Sequence, residues 1–213
     1  MEARKNKITY SDAMLAKFAE IGGKIVGKYQ MDDETIFVAK NLIKWLIGDE
    51  FESVVLNAKK KKTKKGRLDR GIYIAGDCGT GKSIMLKILA KFAKMVDQKF
   101  IINGKEVGLA WRKFHARELS NRFRNGEDLG AMYTTPILQI DDLGAEPNPV
   151  QYMGNKVDLL SDILETREDN GCITLITSNL PPDYLSNTYN DRLESRMMAL
   201  NYYELNGDDK RCQ

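Results

Sequence analysis

One eight-residue stretch, Gly76–Ser83, constrains this chain more than any other part of its sequence. It reads Gly-Asp-Cys-Gly-Thr-Gly-Lys-Ser and fits the pattern G-x-x-x-x-G-K-[ST]. The apolar run Ile72–Ala75 before it predicts a strand, and apolar residues at helical spacing after it predict a helix. A strand, a glycine-rich loop and a helix in this order are the context in which the pattern forms a phosphate-binding loop. A glycine-rich turn that matches by chance is the weaker alternative.

The loop also predicts which residues would contact a nucleotide. Its backbone N–H groups would wrap the phosphate chain at a helix N-terminus, where the dipole favours anions. Lys82 would reach the β- and γ-phosphates, and the Ser83 hydroxyl would hold Mg²⁺. We therefore expect ATP or GTP to be bound by one continuous run of residues, namely Gly76, Asp77, Cys78, Gly79, Thr80, Gly81, Lys82, Ser83 and Ile84.

Length and composition exclude several classes of protein. The 213 residues suit one sizeable domain, or one domain with a small N-terminal appendage. No apolar run is long enough to span a bilayer, and the charged start Met1–Lys5 has no apolar segment behind it, so neither a membrane anchor nor a secretory signal is expected. The three cysteines are scattered and there is one histidine, which favours neither a zinc site nor a disulfide framework. These features are typical of a cytoplasmic protein.

The net charge of +3 hides an asymmetry between the two parts of the chain. Residues 1–70 carry 16 Lys and Arg against 10 Asp and Glu, whereas residues 71–213 carry 17 against 20. Much of the positive excess lies in the lysine run Lys59–Lys65. Such a run is a candidate contact for nucleic-acid phosphates, and a solvated loop is an equally good interpretation.

The remaining pattern alternates between strands and helices. Helices are predicted near residues 11–29, 33–47, 116–124, 151–168 and 190–198. Extended chain with a turn at Asn103–Gly104 is predicted over residues 99–113, and further strands over residues 136–140, 172–176 and 202–205. This alternation predicts an α/β domain with a parallel central sheet.

Polar residues follow two of the predicted strands, where an open parallel sheet binds its ligands. Asp141 would orient Mg²⁺, and Asp142 would polarise the water that attacks the γ-phosphate. A plain Asp-Asp-Leu-Gly turn is the alternative, and the preceding phosphate loop makes it the weaker one. Asn179 would hydrogen-bond the attacking water or the γ-phosphate, or else cap the turn at Pro181.

Two arginines near the end of the chain share one face of a predicted helix. Arg192 and Arg196 are four residues apart. An arginine on an exposed helix could complete the site of a neighbouring subunit. Two surface arginines paired with Asp191 and Glu194 are the alternative.

Four motifs resemble, in their order along the chain, those of the AAA+ ATPases. The residues within these motifs resemble those of the DnaC/IstB group of helicase loaders and transposition helper ATPases. The motifs are Gly76–Ser83, Ile-Asp-Asp-Leu-Gly-Ala-Glu at 140–146, Ile-Thr-Ser-Asn-Leu at 176–180 and Asp-Arg-Leu-Glu-Ser-Arg-Met at 191–197. The resemblance covers roughly residues 68–211. It implies a P-loop NTPase fold of three α/β/α layers with a parallel central sheet, preceded by a small helical segment.

The resemblance also implies roles for individual residues. Gly76–Ser83 would be the Walker A loop and Asp141 the Walker B metal residue, and Asp142 would take the catalytic place. Asn179 would be sensor 1 and Arg196 the arginine finger, while Arg211 lies where the sensor 2 arginine of the group falls. Many AAA+ proteins have Glu where Asp142 stands, so slow hydrolysis is expected. The implied domains are a helical segment at 1–57, a basic loop at 58–67 and an AAA+ core at 68–213.

The resemblance finally implies a function in DNA replication. We expect an ATP-hydrolysing, Mg²⁺-dependent loader that forms a homo-oligomer, binds single-stranded DNA and acts on the replicative DNA helicase, without a membrane partner. A transposition helper that acts with a transposase fits the sequence equally well. A scaffold that binds ATP with little hydrolysis is a further alternative.

Overall fold

The computed structural model describes residues 3–56 and 62–210 of the chain. Contacts between residues group the chain into two units. The first unit comprises Met1–Asp69, Asp77–Ala110 and Tyr203–Gln213, and the second comprises Arg70–Gly76 and Trp111–Tyr202. The phosphate loop predicted at Gly76–Ser83 therefore begins at the end of one unit and continues into the other.

The first unit is formed mainly by three helices and two small hairpins. Its helices are α1 (Asp12–Val26), α2 (Asp33–Ile47) and α3 (Lys82–Ala93). Strands β1 (Glu52–Val54) and β2 (Thr63–Lys65) pair antiparallel, as do β4 (Lys99–Ile102) and β5 (Lys105–Gly108). The turn predicted at Asn103–Gly104 is confirmed between β4 and β5, and both residues have positive φ. Within the predicted basic loop, the described residues Thr63–Lys65 form β2, while Lys59–Lys61 lie outside the described residues.

Helix α2 matches its predicted range because both of its ends are capped. The Asp32 carboxylate accepts a hydrogen bond from the Thr35 backbone N–H at 2.7 Å, and Gly48 ends the helix with a φ of 87°. Most of its apolar side chains are buried, including Trp45, which packs edge-on against Phe100 with ring centroids 5.1 Å apart. Helix α2 is therefore a core element of the first unit.

The second unit is built around a sheet. Five strands lie in the order β11–β3–β10–β7–β6, and their ranges are β3 (Ile72–Ala75), β6 (Arg112–His115), β7 (Ile137–Leu143), β10 (Ile173–Ser178) and β11 (Asn201–Glu204). Strand β10 pairs parallel with both β3 and β7, and β6 pairs parallel with β7. The second unit also contains helices α4 (Ala116–Arg124), α5 (Gly130–Thr134), α6 (Leu159–Asp169) and α7 (Asp191–Met198), and a 3₁₀ helix (Pro182–Asn187). The predicted α/β fold with a parallel central sheet and N-terminal helices is confirmed.

The parallel registers place four strand ends at one edge of the sheet. Ile140 is paired with both Ile176 and Phe114, and His115 is paired with Asp141. Since β3, β10, β7 and β6 run in the same direction, their carboxyl ends lie side by side. The chain reaches Gly76 directly after β3 at this edge.

One predicted helix is wrong in its first half. Residues 151–158 were expected to be helical, but β8 (Val150–Tyr152) and β9 (Asn155–Val157) form an antiparallel hairpin. Met153 and Gly154 at its tip both have positive φ, which a helix does not allow. Helix α6 begins only at Leu159, where the Asp158 carboxylate caps it. Between residues 3 and 210, with the gap at 57–61, no helix has the length and apolar character that a membrane crossing requires.

Candidate nucleotide site

The phosphate loop has the backbone geometry that anion binding requires. Gly76, Gly79 and Gly81 have φ angles of 141°, 78° and 95°, in a region that side chains with a Cβ rarely adopt. Gly81 precedes α3, whose first residues are Lys82 and Ser83. The helix N-terminus therefore follows the loop directly, as the sequence predicts, and the N–H groups and dipole of a helix N-terminus favour an anion there.

Lys82 is held inside the loop. Its residue surface is only 5% exposed, and its ammonium donates a hydrogen bond of 2.6 Å to the Asp77 carbonyl oxygen. The Thr80 hydroxyl donates to the same carbonyl at 2.9 Å. These bonds keep the loop folded around its lysine, and the backbone and side chain together fit a polyphosphate ligand.

A C-terminal segment, Gly207–Lys210, packs on the same loop. The Gly207 N–H donates to an Asp77 carboxylate oxygen at 3.3 Å, and the Lys210 N–H donates to the Gly79 carbonyl at 3.1 Å. A Cβ at Gly79 would displace the carboxylate of Asp209, and the positive φ of Gly79 is what requires glycine here. Arg211, the predicted sensor 2 residue, lies outside the described residues.

The Lys210 side chain connects this segment to α2. Its ammonium lies 2.9 Å from an Asp32 carboxylate oxygen and 3.0 Å from the Thr35 hydroxyl. Partial burial would raise the pKa of Asp32, but hydrogen bonds from Thr35 and Lys210 outweigh it and lower the pKa to about 2. Asp32 is therefore ionised at neutral pH and pairs with Lys210.

A cavity of about 430 Å³ lies beside the loop within the first unit. Its volume falls within the range of small-ligand pockets. Its apolar wall is provided by Val26, Tyr29, Ile84 and Met85. The Tyr29 hydroxyl lies 3.9 Å from the Met85 sulfur, and burial raises the pKa of Tyr29. The cavity is large enough for an aromatic base, and it lies next to the loop that would bind the phosphates.

Sequence reasoning missed Tyr29 as a candidate contact. It lies in the connection between α1 and α2, about fifty residues before the motif, and no pattern marks it. Gly22 lets it pack closely, since a Cβ at that position would collide with the Tyr29 ring. Ile84, which the sequence predicts as a nucleotide contact, lines the cavity together with Met85.

The two carboxylates after the predicted strand have different surroundings in the second unit. Asp141 is fully buried, and its Oδ1 accepts a hydrogen bond of 2.7 Å from the Gln139 side-chain amide. Its Oδ2 lies 2.6 Å from the Lys113 ammonium. Asp141 is thus a fixed buried anion with one cationic neighbour, and Lys113 was not among the residues predicted from the sequence.

Asp142 turns away from this buried position. Its φ of 55° is unusual for a residue with a Cβ, and its side chain is 43% exposed. Its backbone N–H donates to the Thr177 hydroxyl at 3.1 Å, and its Oδ2 lies 3.4 Å from the His115 Nδ1. The bond to Thr177 ties β7 to β10 at the point where Asp142 reaches solvent.

Asn179 follows β10 at the same edge and is exposed. Before it, the Ser178 hydroxyl donates to the Leu143 carbonyl at 2.6 Å and accepts from the Leu180 N–H at 2.9 Å. The second unit therefore brings together Asp141, Asp142 and the end of β10 that leads into Asn179.

The two arginines of α7 are paired differently from the predicted alternative. Arg196 bonds to Glu168, and its guanidinium lies 2.8 Å from Asp169. The hydrogen bond that Arg196 donates to the Asp169 carboxylate raises the pKa of Arg196, and the arginine side chain is 16% exposed. Arg192 pairs with Glu165 at 3.0 Å and is 68% exposed. Arg192 is therefore the more accessible of the two.

A metal ion at this site would need ligands from a nucleotide as well as from the protein. In the part of the chain that the structure describes, no group of three or more His, Cys, Asp or Glu side chains is arranged to hold a metal. Among the described residues, the Lys113 ammonium is the one cation that contacts the buried Oδ2 of Asp141. A carboxylate oxygen of this kind suits a hard cation such as Mg²⁺, which prefers oxygen ligands.

A stretch in the β8–β9 hairpin fits a guanine-reading pattern. Asn155-Lys156-Val157-Asp158 matches N-K-x-D, the pattern by which G proteins read their base. Residues Asn155–Val157 form β9, which is not part of the five-stranded sheet, and the Asp158 carboxylate accepts a bond from the Ser161 N–H as the cap of α6. The match is therefore explained by local structure and does not favour GTP.

Comparison with known proteins gives one sequence relative and several structures. No protein-family model matches the chain. The chain is 31% identical over 139 residues to the replicative helicase loader DnaI of Bacillus subtilis (strain 168). That alignment spans 62% of this chain and 40% of the relative, so the chain matches less than half of the relative's length.

Two solved structures have a similar fold. A crystal structure of DnaI matches with a TM-score of 0.58 and 21% identity, over 90% of this chain and 93% of that one. The AMPPCP-bound DnaA from Aquifex aeolicus matches with a TM-score of 0.53 and 17% identity, over 87% of this chain and 50% of that one. The resemblance to the DnaC-like helicase-loader group of AAA+ proteins is therefore confirmed, and the chain has the α/β fold of an AAA+ P-loop domain.

Proposed function

We propose that this protein binds and hydrolyses ATP and acts in DNA replication as a DnaC-like helicase loader in the cytoplasm. The observation that carries this proposal is the 31% identity to a replicative helicase loader, in a chain whose phosphate loop has the required backbone conformation. The cavity beside the loop supports a nucleotide ligand, since its apolar wall would hold the base. The AMPPCP bound to a DnaA of similar fold supports ATP as the nucleotide.

Different residues of the loop would bind different parts of the ATP–Mg²⁺ complex. Backbone N–H groups from Gly79 to Ser83 would bind phosphate oxygens, and Lys82 would exchange its bond to the Asp77 carbonyl for bonds to the β- and γ-phosphates. Ser83 and Asp141 would hold Mg²⁺, which neutralises phosphate charge when bound. The shared edge of β3, β10 and β7 supports this assignment, because the loop begins at Gly76 directly after β3.

Asp142 and Asn179 would act on the attacking water. Asp142 is exposed and acidic, so its carboxylate can accept a proton from water, and Asn179 can orient the same water by a hydrogen bond. The aspartate arm is one methylene shorter than the glutamate of many AAA+ proteins. We therefore expect slow hydrolysis that partners or DNA accelerate.

An arginine of α7 would complete the site of a neighbouring subunit in a homo-oligomer. Arg196 is the residue that matches the motif, but it would have to leave Glu168 and Asp169 to reach a neighbour. We expect Arg196→Ala to lose ATP-dependent oligomerisation and to lower the hydrolysis rate by at least about tenfold. This is a lower limit, because arginine fingers usually change the rate of phosphoryl transfer by more than that. Light scattering with and without ATP, together with phosphate release, measures both properties.

Arg192→Ala is the matched control for this prediction, because it removes an exposed arginine from the same helix. If Arg192→Ala abolishes oligomerisation and Arg196→Ala does not, the finger is Arg192. If neither variant differs from wild type, the active site is not shared through α7.

The proposed function is tested with the replicative helicase itself. Purified protein and the helicase from the same cell should form a complex on size-exclusion chromatography, and helicase transfer to a single-stranded DNA circle should require ATP. A Lys82→Ala variant should not support that transfer. Association with a transposase in place of the helicase would instead favour the IstB-like function, and full activity of Lys82→Ala would favour a scaffold.

Single-stranded DNA is the second proposed partner. The described lysines Lys62, Lys64 and Lys65 are exposed, although Lys65 pairs with Glu50 at 2.7 Å. In the same reconstitution, neutralising Lys59–Lys65 should weaken DNA binding and flatten its dependence on salt, because fewer counterions are released. An unchanged salt slope assigns DNA binding to another surface.

A further inference from the structure

The buried carboxylate Asp141 obtains its positive charge from the neighbouring strand. Lys113 belongs to β6, whose register with β7 pairs Lys113 with Gln139 and His115 with Asp141. From there its ammonium reaches Asp141 Oδ2 at 2.6 Å. No described donor other than this ammonium contacts that oxygen.

The two partners of this ion pair differ in their freedom to move. Asp141 is fully buried on a central strand, so its carboxylate is fixed and needs a cation nearby. The Lys113 side chain is 38% exposed, and a lysine has a flexible stem and a strongly hydrated charge. The carboxylate is therefore a fixed site, and the ammonium is a cation that can be exchanged.

The bound Mg²⁺ of a nucleotide would require the same oxygen. The Oδ1 of Asp141 already accepts a hydrogen bond from Gln139. The Oδ2 of Asp141 is therefore the atom left for a cation or a cation-bound water. An ammonium and a divalent cation at one carboxylate oxygen would repel each other. Only one of them can compensate Asp141 at a time.

We propose that Lys113 is an internal counter-cation that competes with nucleotide-bound Mg²⁺ for Asp141. This inference rests on the proposed function and deepens it. Binding of Mg²⁺ and ATP releases the Lys113 ammonium towards solvent, and departure of the nucleotide returns it to Oδ2. Lys113 thereby stabilises the protein between nucleotides and weakens the hold on Mg²⁺, which favours nucleotide release.

Replacement of Lys113 by methionine tests the competition, because methionine keeps an unbranched apolar side chain and removes the charge. The measured quantity is the ratio of the affinities for a fluorescent non-hydrolysable ATP analogue with Mg²⁺ and with EDTA. We expect this ratio to rise about tenfold in Lys113→Met. A change of this size corresponds to the free energy of one modest ion pair, which Mg²⁺ would no longer have to displace. The thermal midpoint without nucleotide should fall, and the Mg²⁺-nucleotide-induced rise of the midpoint should be larger than in wild type.

Lys113→Arg keeps the protein's counter-charge and provides a second test that does not depend on the folding of the methionine variant. An arginine binds a carboxylate through two parallel hydrogen bonds and should hold Asp141 more tightly. The affinity ratio should therefore fall below the wild-type value. Lys99→Met, which removes a surface lysine paired with Glu106, should leave the ratio unchanged.

The outcomes separate this inference from the proposed function. If wild type binds the analogue with Mg²⁺ and the ratio is unchanged in both Lys113 variants, the competition is refuted and the proposed function stands. If wild type binds no nucleotide, both are refuted. In an Asp141→Asn background, Lys113→Met should no longer raise the ratio, and a rise that persists there would also overturn the competition.

Discussion

The Lys82→Ala variant is expected to bind ATP roughly 100-fold more weakly than wild type, because it loses hydrogen bonds between an ammonium and phosphate, which are stronger than hydrogen bonds between neutral groups. Lys82 is 5% exposed and is already held in the loop by the Asp77 carbonyl, so little conformational freedom is lost when it binds phosphate. Alanine removes the ammonium and leaves the glycine-rich backbone in place. Isothermal titration calorimetry with ATP and Mg²⁺ measures the loss directly.

Lys87→Ala is the matched control, since Lys87 is an exposed lysine on the same helix. It should bind ATP like wild type. In the same titration, the affinity of Tyr29→Ala for ATP should be about tenfold lower than that of wild type, because the apolar contacts of one aromatic ring with the base are lost. Wild-type affinity in Lys82→Ala, with the fold intact by circular dichroism, would refute the phosphate-loop assignment.

The Arg167→Met variant is expected to lose about 3–5 kcal/mol of unfolding free energy, because several hydrogen bonds donated by one buried cation are lost and each unsatisfied buried polar group costs about 1–3 kcal/mol. Arg167 is fully buried in the second unit. Its guanidinium donates hydrogen bonds of 2.7 to 2.9 Å to the Met132, Thr135 and Ile173 carbonyls and to the Thr174 hydroxyl. Burial lowers the pKa of Arg167 to about 10, so the side chain is charged at neutral pH.

The loss arises because methionine removes the donor of four acceptors, three of them in buried hydrogen bonds and one in a partly buried bond. These acceptors connect α6, α5 and β10, so the variant disturbs the helices and the sheet of the second unit together. Urea unfolding followed by circular dichroism gives the free energy. Arg192→Met is the control, because an exposed ion pair is worth about 1 kcal/mol or less. A loss below about 1 kcal/mol in Arg167→Met would show that the network adds little to stability.

Local signals explain which elements could be predicted. Helix α2 was predicted over its true range because Asp32 caps its start and Gly48 ends it. The β4–β5 turn was predicted from Asn103–Gly104, a dipeptide with strong turn preference. The β8–β9 hairpin was missed because Val150–Tyr152 and Asn155–Val157 are too short for a period of two to stand out beside the helical pattern that follows.

The candidate site divides in the same way. Gly76–Ser83 and Asp141–Asp142 were recognised because motif spacing along the chain is sufficient to define them. Lys113 and Tyr29 were missed because their importance comes from neighbours distant in sequence, Asp141 for one and the cavity for the other. The pairing of Arg196 was also wrong in the sequence-based alternative, which chose partners on its own helix instead of on α6.

A phosphate loop between a strand and a helix, and acids at a later strand end, could be predicted from the order of residues alone. These features depend on contiguous residues, whose backbone conformation is set locally. The burial of Asp141 beside Lys113, the exposure of Asp142 and the bonds from Arg167 to a neighbouring helix and the sheet are visible only in the folded protein. Burial and charge pairing depend on strand register and packing, which bring together residues far apart in the chain.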